Sequence, residues 1–165
     1  MANVNNIQVL ASTTNEDKEW LRQLWIKEMG DDYVVSKGQQ HRVQHAEGVI
    51  AWLDGHRAGA ATYRISGQEC ELTSLHATMR GAGIGSKLIE AVEQIVSQLG
   101  VQRLWLITTN DNMNAMRFYQ KQGYRLKAVY PGAVDEARQQ LKPSIPLIGN
   151  DNIPIRDEIE VEKFL

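Results

Sequence analysis

Between Arg80 and Gly100 the chain carries the feature that most limits how it can fold. Gly81, Gly83 and Gly85 alternate into a single apolar stripe at helical spacing, made of Ile84, Leu88, Ala91, Val92, Ile95, Val96 and Leu99 and closed by Gly100. A glycine-rich turn that opens a long helix does more than connect. Small residues let backbone approach a ligand, and the uncapped N–H groups of the helix point the same way as its dipole. Arg80 adds a permanent positive charge at the mouth, so the segment Arg80-Gly81-Ala82-Gly83-Ile84-Gly85-Ser86 forms an anion cradle suited to a pyrophosphate.

Around this helix the pattern is that of an α/β chain. Ile7 to Leu10 forms a short apolar run, and Asn15-Glu-Asp-Lys supplies an acid-rich start to a helix reaching Met29. Residues 31–46 are polar and without pattern. Gly48–Leu53 and Ala58–Ile65 flank Asp54-Gly55, a hairpin dipeptide, and Ser66-Gly67 turns the chain into Glu69–His76. After the long helix come a buried strand at Arg103–Thr109, a helix at Met113–Gln122 and a strand at Tyr124–Tyr130. The connection from Pro131 to Asp157 holds all 4 prolines and a helical turn at Ala133–Gln140, which predicts a structured functional loop. Glu158 to Leu165 alternates acid and apolar residues, the pattern of an edge strand with one wet face.

Composition excludes several classes. The chain has 165 residues, within the span of one domain, and nothing inside it reads as a tether, so residues 1–165 are expected to form a single domain. With 18 Lys and Arg scattered among 20 acids it shows no basic stripe, which argues against nucleic acid as a partner. No apolar run approaches the ~20 residues needed to cross a bilayer, and MANVNNIQVL lacks the features of a signal peptide. Cys70 is the only cysteine, expected as a small buried hydrophobe, and His41 with His45 lacks the further ligands of a metal site. A cytoplasmic protein is expected, without membrane partner or metal.

Spacing then discriminates among the pyrophosphate ligands. Walker A fails because Ser86 stands in the glycine slot before Lys87. The dinucleotide fingerprint is closer, with Gly81-Ala-Gly83 after a strand and Asp111 beyond the next one, but Ser86 replaces its third glycine and Gly85 is left unexplained.

Arg80, Gly83 and Gly85 match the signature of the GNAT superfamily of acyl-CoA-dependent N-acyltransferases, which is Arg or Gln, two residues, Gly, one residue, Gly or Ala. The resemblance continues in Asn112-Met-Asn-Ala115-Met-Arg-Phe118-Tyr119 and in Gly123-Tyr124, closely over residues 48–130 and in outline elsewhere. It implies a mixed, mostly antiparallel sheet of about six or seven strands with helices on both faces. By the same resemblance, acetyl-CoA is the cosubstrate, held by Leu75, His76, Ala77, the segment Arg80 to Ser86, Asn112, Ala115 and Tyr119. Asn112 would address the pantetheine arm, and the N–H groups of Leu75–Ala77 the thioester carbonyl.

Acetyl transfer to an amine needs a neutral nitrogen, a polarised carbonyl and a proton for the departing thiolate. Asn112 and Tyr119 stand seven residues apart, about two helical turns, so both face one ligand. Tyr119, with a phenol of pKa ~10, is assigned as general acid. Glu69 and Glu71 share one strand face and either can accept the amine proton, directly or through water; Glu71 is favoured, with His76 as a further candidate. The acceptor is expected to be an amine of a small molecule or peptide, and exposed edge strands allow a homodimer. Two other readings stay open: a dinucleotide- or adenosylmethionine-dependent enzyme, and a non-catalytic acyl-CoA-binding regulator. Leu75-His-Ala-Thr-Met lacks the proline common before the family's cofactor loop, and the long 131–157 connection is expected to set specificity through Asp135, Glu136, Arg138, Lys142, Arg156 and Asp157.

Overall fold

The computed structural model describes residues 6–165; residues 1–5, the start of the segment read above for a signal peptide, lie outside it. The elements in order are β1 (Ile7–Ala11), α1 (Asn15–Met29), β2 (Tyr33–Ser36), β3 (Gln39–Arg42), β4 (Glu47–Leu53), β5 (His56–Ser66), β6 (Glu69–Ala77) and α2 (Ile84–Gln98). Then follow β7 (Arg103–Thr109), α3 (Met113–Lys121), β8 (Arg125–Tyr130), α4 (Ala133–Gln140) and β9 (Glu158–Phe164). Seven strands form one sheet in the order β1-β4-β5-β6-β7-β9-β8, and β2 with β3 form a separate hairpin. Only β6 and β7 run parallel, and helices cover both faces, so the fold is the mixed, mostly antiparallel one that the family resemblance implies.

Turn chemistry explains the first half of the sheet. Asp54 and Gly55 both take positive φ, 50° and 78°, the conformation that matches the twist of the strands they join. Alternation along β4 and β5 then sorts the side chains. Val49, Ala51 and Ala61 face α2, whose Ile84, Leu88, Val92 and Val96 are all but solvent-free. Ile50 and Ala60 face the other way, against Leu21, Leu24 and Trp25 of α1. Trp25 donates its indole N–H to Ser74 Oγ at 3.1 Å, which satisfies the one polar atom of a fully buried ring. Among the described residues no helix is long and apolar enough to cross a membrane.

Three sequence expectations change. The cap of α1 is Thr14, whose hydroxyl accepts from Asp17 N while Asp17 reaches back to the Thr14 N–H, a reciprocal capping box one residue ahead of the expected start. Residues 31–46 hold the β2–β3 hairpin, turned by Lys37 and Gly38 at φ 49° and 76°. Its four-residue strands are too short for alternation to register. The last strand is neither an edge nor wet on one face: β9 lies between β7 and β8, and Glu158, Glu160 and Glu162 are 4%, 2% and 2% exposed.

Buried carboxylates persist only when paired. Arg103 donates to both Glu160 and Glu162, Arg125 donates to Glu162, Tyr130 donates its hydroxyl to Glu160 at 2.6 Å, and the Lys37 ammonium pairs with Glu160 at 2.6 Å. Burial pushes the Glu160 carboxyl up, but these donors outweigh it and hold it below the usual range. Lys37 also lies 4.3 Å above the Trp105 ring, so the hairpin turn is clasped to the sheet by charge and by the ring face.

The long connection after β8 is ordered by a few polar anchors. The Arg138 guanidinium donates to the carbonyls of Ile145, Pro146 and Ile155, and Asn110 at the end of β7 accepts from the N–H groups of Arg156 and Asp157.

Gly59 of β5 sits where three elements meet. A Cβ there would lie 2.7 Å from the His76 carbonyl oxygen and 2.9 Å from Ile84 Cγ2. Gly59→Ala is therefore expected to cost ~1 to 3 kcal/mol of unfolding free energy, read as a lowered denaturant midpoint. An unchanged midpoint would show that β6 and α2 yield without cost.

Candidate active site

Parallel pairing between β6 and β7 starts at Glu69↔Arg103 and stops at Glu71↔Trp105. Beyond that point each strand stays bonded to its outer neighbour, β6 to β5 as far as Gly59↔Ala77 and β7 to β9 as far as Thr109↔Glu158. The two inner edges separate. Thr78 donates its N–H to Ala58 O of β5 at 2.8 Å, so by alternation the N–H groups of Leu75 and Ala77 point away from β5, into the opening.

A bulge at Thr73 shifts the register of β6 against β5. Leu72 and Leu75 consequently pack on the α2 face, while Glu71 and Ser74 lie on the α1 face.

The open end of this V is a cleft of about 620 Å³ lined by Leu75, His76, Ala77, Arg80, Gly85, Asn112, Ala115 and Tyr119, together with Glu28, Asn114, Phe118 and Asn150. Tyr119 is 7% exposed and packs edge to face on Phe118 and Tyr124 at centroid distances of 5.2 and 5.7 Å. Its hydroxyl has no hydrogen-bond partner among the described residues, and burial pushes the phenol above its ordinary pKa. His76 Nδ1 is buried and unpartnered; burial lowers the imidazole pKa from 6.5, opposed by the Glu28 carboxylate. The cleft thus holds a protonated phenol and a neutral imidazole.

Above it, Gly83 is the N-cap of α2 at φ 77°, no side chain caps that end, and Gly81 has the same φ. The N–H groups of the first helical turn remain to receive an anion, beside Arg80. Ala82 and Ile84 are buried, 7% and 1% exposed, so they contribute backbone and anchor the turn in the core. Ser86 accepts from the Gln122 side chain at 2.9 Å and ties α2 to α3. Asn112 accepts from Ala115 N at 3.1 Å as the N-cap of α3, which leaves only its NH₂ for a ligand. A strand edge with free amides and a helix start free of caps fit an elongated ligand with a pyrophosphate at one end.

The acetyltransferase (GNAT) family model matches residues 10–124. The chain belongs to this family. It is 40% identical over 149 residues to the uncharacterized protein YdhI of Bacillus subtilis, covering 90% of this chain and 92% of that one. It is 29% identical over 105 residues to the streptothricin acetyltransferase of Streptomyces lavendulae, covering 61% and 54% of the two chains. A GNAT family acetyltransferase from Elizabethkingia anophelis, solved with acetyl-CoA bound, superposes with a TM-score of 0.73 at 16% identity over 98% of this chain and 99% of that one. Acetyl-CoA is the cosubstrate of GNAT enzymes.

Of the residues expected on the cosubstrate side, Leu75, His76, Ala77, Arg80, Gly85, Asn112, Ala115 and Tyr119 line the one cleft. Gly81, Ala82, Gly83, Ile84 and Ser86 belong to the adjoining turn and helix start, and Glu71 does not join them. It is 3% exposed and lines a second pocket of about 220 Å³ that runs along the α1 face of the V, with Val34, Ser36, Ile107, Lys142 and Glu158. The bulge places it there, on the α1 face and behind the β2–β3 hairpin. Ser36 donates to Glu71 Oε2 at 2.6 Å; Oε1 lies 3.5 Å from Arg64 and 3.6 Å from His41 and accepts no hydrogen bond. Glu69 is exposed at the far end of β6, 3.4 Å from Arg103. Asp111, the acid that favoured a dinucleotide, is 3% exposed and holds Thr109 and the backbone of Asn150, so the residue tethers the long connection.

Sequence reasoning missed Glu28, Asn114 and Asn150 in the cleft and Glu158 in the pocket. Glu28, Asn150 and Glu158 come from segments distant in the chain from the two motifs, whereas Asn114 lies inside the second; the acid-alternating strand was the one available signal for Glu158. The burial of His76 predicts that its imidazole titrates below pH 6.5. An NMR titration of its ring protons checks this; a midpoint at or above the ordinary value would show that the ring is solvated or paired.

Proposed function

We propose that this chain is an N-acetyltransferase that moves the acetyl group of acetyl-CoA to a primary amine of a small molecule or peptide, with residues 1–165 acting as one catalytic domain. What carries the reading is one cleft in which a buried phenol without a protein partner faces a strand edge whose amides point into open space. The first turn of α2 and Arg80 would bind the diphosphate, and Leu75 and Ala77 would bind the pantetheine arm and thioester carbonyl through main-chain groups.

Proton traffic follows from burial. His76 is the proton acceptor inside the cleft: it is neutral, and Nδ1 lacks a partner. It takes the proton that the amine loses as the C–N bond forms. Tyr119 gives its phenolic proton to the sulfur as the C–S bond breaks. A phenol held above its ordinary pKa keeps its proton until charge develops beside it, and the same desolvation makes the thiolate more basic. Glu71, four residues before Leu75, stands about 13 Å away along the strand at ~3.3 Å per residue, too far to take the amine proton directly. The dinucleotide reading loses the acid it relied on, because Asp111 is tied to Thr109 and Asn150.

Two measurements test this. Acetyl-CoA and CoA should raise the melting temperature, whereas NAD and adenosylmethionine should not, because a ligand of the folded state stabilises it. Tyr119→Phe should lower kcat by ~10 to 10⁴-fold with acetyl-CoA affinity retained. An unchanged kcat removes the phenol from the reaction, and a chain that acetyl-CoA fails to stabilise is not using this cleft. In the pH profile of kcat the acid limb should fall below pH 6.5, where His76 protonates, and should vanish in His76→Gln.

A further inference from the structure

The second pocket, which runs along the α1 face of the V from Glu71 to Glu158, contains two carboxylates with unfilled acceptor capacity. Glu71 Oε1 is buried and accepts no hydrogen bond. Glu158, 4% exposed, accepts a single backbone N–H, from Lys37 at 3.3 Å. Two carboxyl groups with acceptor oxygens left unfilled in one enclosure are a costly arrangement that donors from a ligand would relieve. Burial raises the Glu158 carboxyl above its ordinary range, with the Glu71 charge adding to it. Val34, Val35, Ile107, Val134, Ala137 and Ile155 supply apolar walls between them.

Among the described residues no cationic side chain donates a hydrogen bond to either carboxylate. Arg64 is 41% exposed by side chain and meets Glu71 at 3.5 Å outside hydrogen-bond geometry. Burial lowers the His41 pKa, so that ring is mainly neutral near pH 7. Lys142 spends its ammonium on the carbonyls of Met29 and Tyr33 at 2.9 and 3.1 Å, and burial lowers its pKa as well. Lys37 pairs its ammonium with Glu160 at 2.6 Å and opposes the rise of the Glu158 pKa less than burial promotes it.

Leu72 and Thr73 of β6 line this pocket, and Leu75 to Ala77 of the same strand line the cleft, so the two spaces follow one opened strand edge. An acceptor entering from the pocket side would present one end to Tyr119 and His76 while its other end lay between Glu71 and Glu158.

We propose that this pocket holds a second, non-reacting ammonium group of the acceptor, so that the substrate is a slim linear molecule with two amines, one acetylated in the cleft and one anchored by Glu71 and Glu158. This rests on the acetyl-transfer reading above. An ammonium brings three N–H donors to oxygen atoms that lack them, and the apolar walls accommodate the methylenes between the two nitrogens. A monoamine of equal length leaves both carboxylates as they are and gains nothing from them. Glu71 and Glu158 are thus specificity-determining residues, and their contribution falls on acceptor binding.

The experiment compares a graded series of α,ω-diaminoalkanes with the matching monoalkylamines at fixed acetyl-CoA, using the full chain and the variants Glu71→Gln and Glu158→Gln. The expected result is a kcat/KM at least ~10-fold higher for the best diamine than for its monoamine, the size of one to two charge-assisted hydrogen bonds. Each variant should erase most of that preference through KM, with monoamine kcat/KM and acetyl-CoA affinity held within about twofold. Retention of monoamine turnover also shows that the variants fold. A wild-type enzyme that acetylates both series equally overturns the inference and leaves acetyl transfer standing. Variants that lose both series alike overturn it too, since the carboxylates would then serve folding or chemistry. If acetyl-CoA binds and neither series is acetylated, acetyl transfer to such amines fails, and this inference with it.

Discussion

The end of the hydrogen-bond ladder between β6 and β7 governs the rest of the molecule. Three residue pairs join the strands, and past Glu71 and Trp105 each edge faces the other across open space. Main-chain groups left without a neighbour are costly inside a protein. On the proposed reading they are tolerated because the cosubstrate takes the place of the missing strand. The amides of Leu75 and Ala77, the phenol of Tyr119 and the imidazole of His76 all border that gap, and none would be available to a substrate if the ladder closed.

Two devices frame the V, one at its open end and one along its α1 face. At the open end, Gly59 lets β5, β6 and the start of α2 come within a distance that no Cβ would permit, which sets the uncapped helix turn beside the strand edge. Along the α1 face, the β2–β3 hairpin reaches the sheet through Ser36 to Glu71 and Lys37 to Glu160 and Trp105, and so roofs the pocket with its own polar atoms. The bulge at Thr73 links them, because one extra residue sends Glu71 to the α1 face and Leu75 to the α2 face.

Charge is handled differently on the two sides of this division. Glu160 and Glu162 are saturated by Arg103, Arg125, Lys37 and Tyr130, and they hold strands together. Glu71 and Glu158 lie on the same face of the same sheet with far fewer donors. The unequal distribution separates structural carboxylates from those facing open space, and sequence position alone, with acids alternating along β9, does not distinguish them.

Local chemistry was legible in the letters of the chain. Asp54-Gly55, the apolar stripe from Ile84 to Val96 and the glycines before it specify a turn and a helix through backbone sterics and short-range periodicity, and the structure places them as read. The second hairpin turns one residue later than read, at Gly67-Gln68, and Leu99 lies exposed past the helix end. The two family motifs, Arg80 to Gly85 and Asn112 to Tyr119, likewise led to one cleft because each is carried by a single turn and helix. Tertiary structure decided what depends on partners distant in sequence. It set β9 between β7 and β8 and so buried the acids that alternation marked as wet, formed a hairpin from strands too short to show a period, and turned Glu71 away from Tyr119 through one bulged residue. Strand order and register are fixed by which faces can be buried together, a property of the assembled sheet that no local pattern encodes.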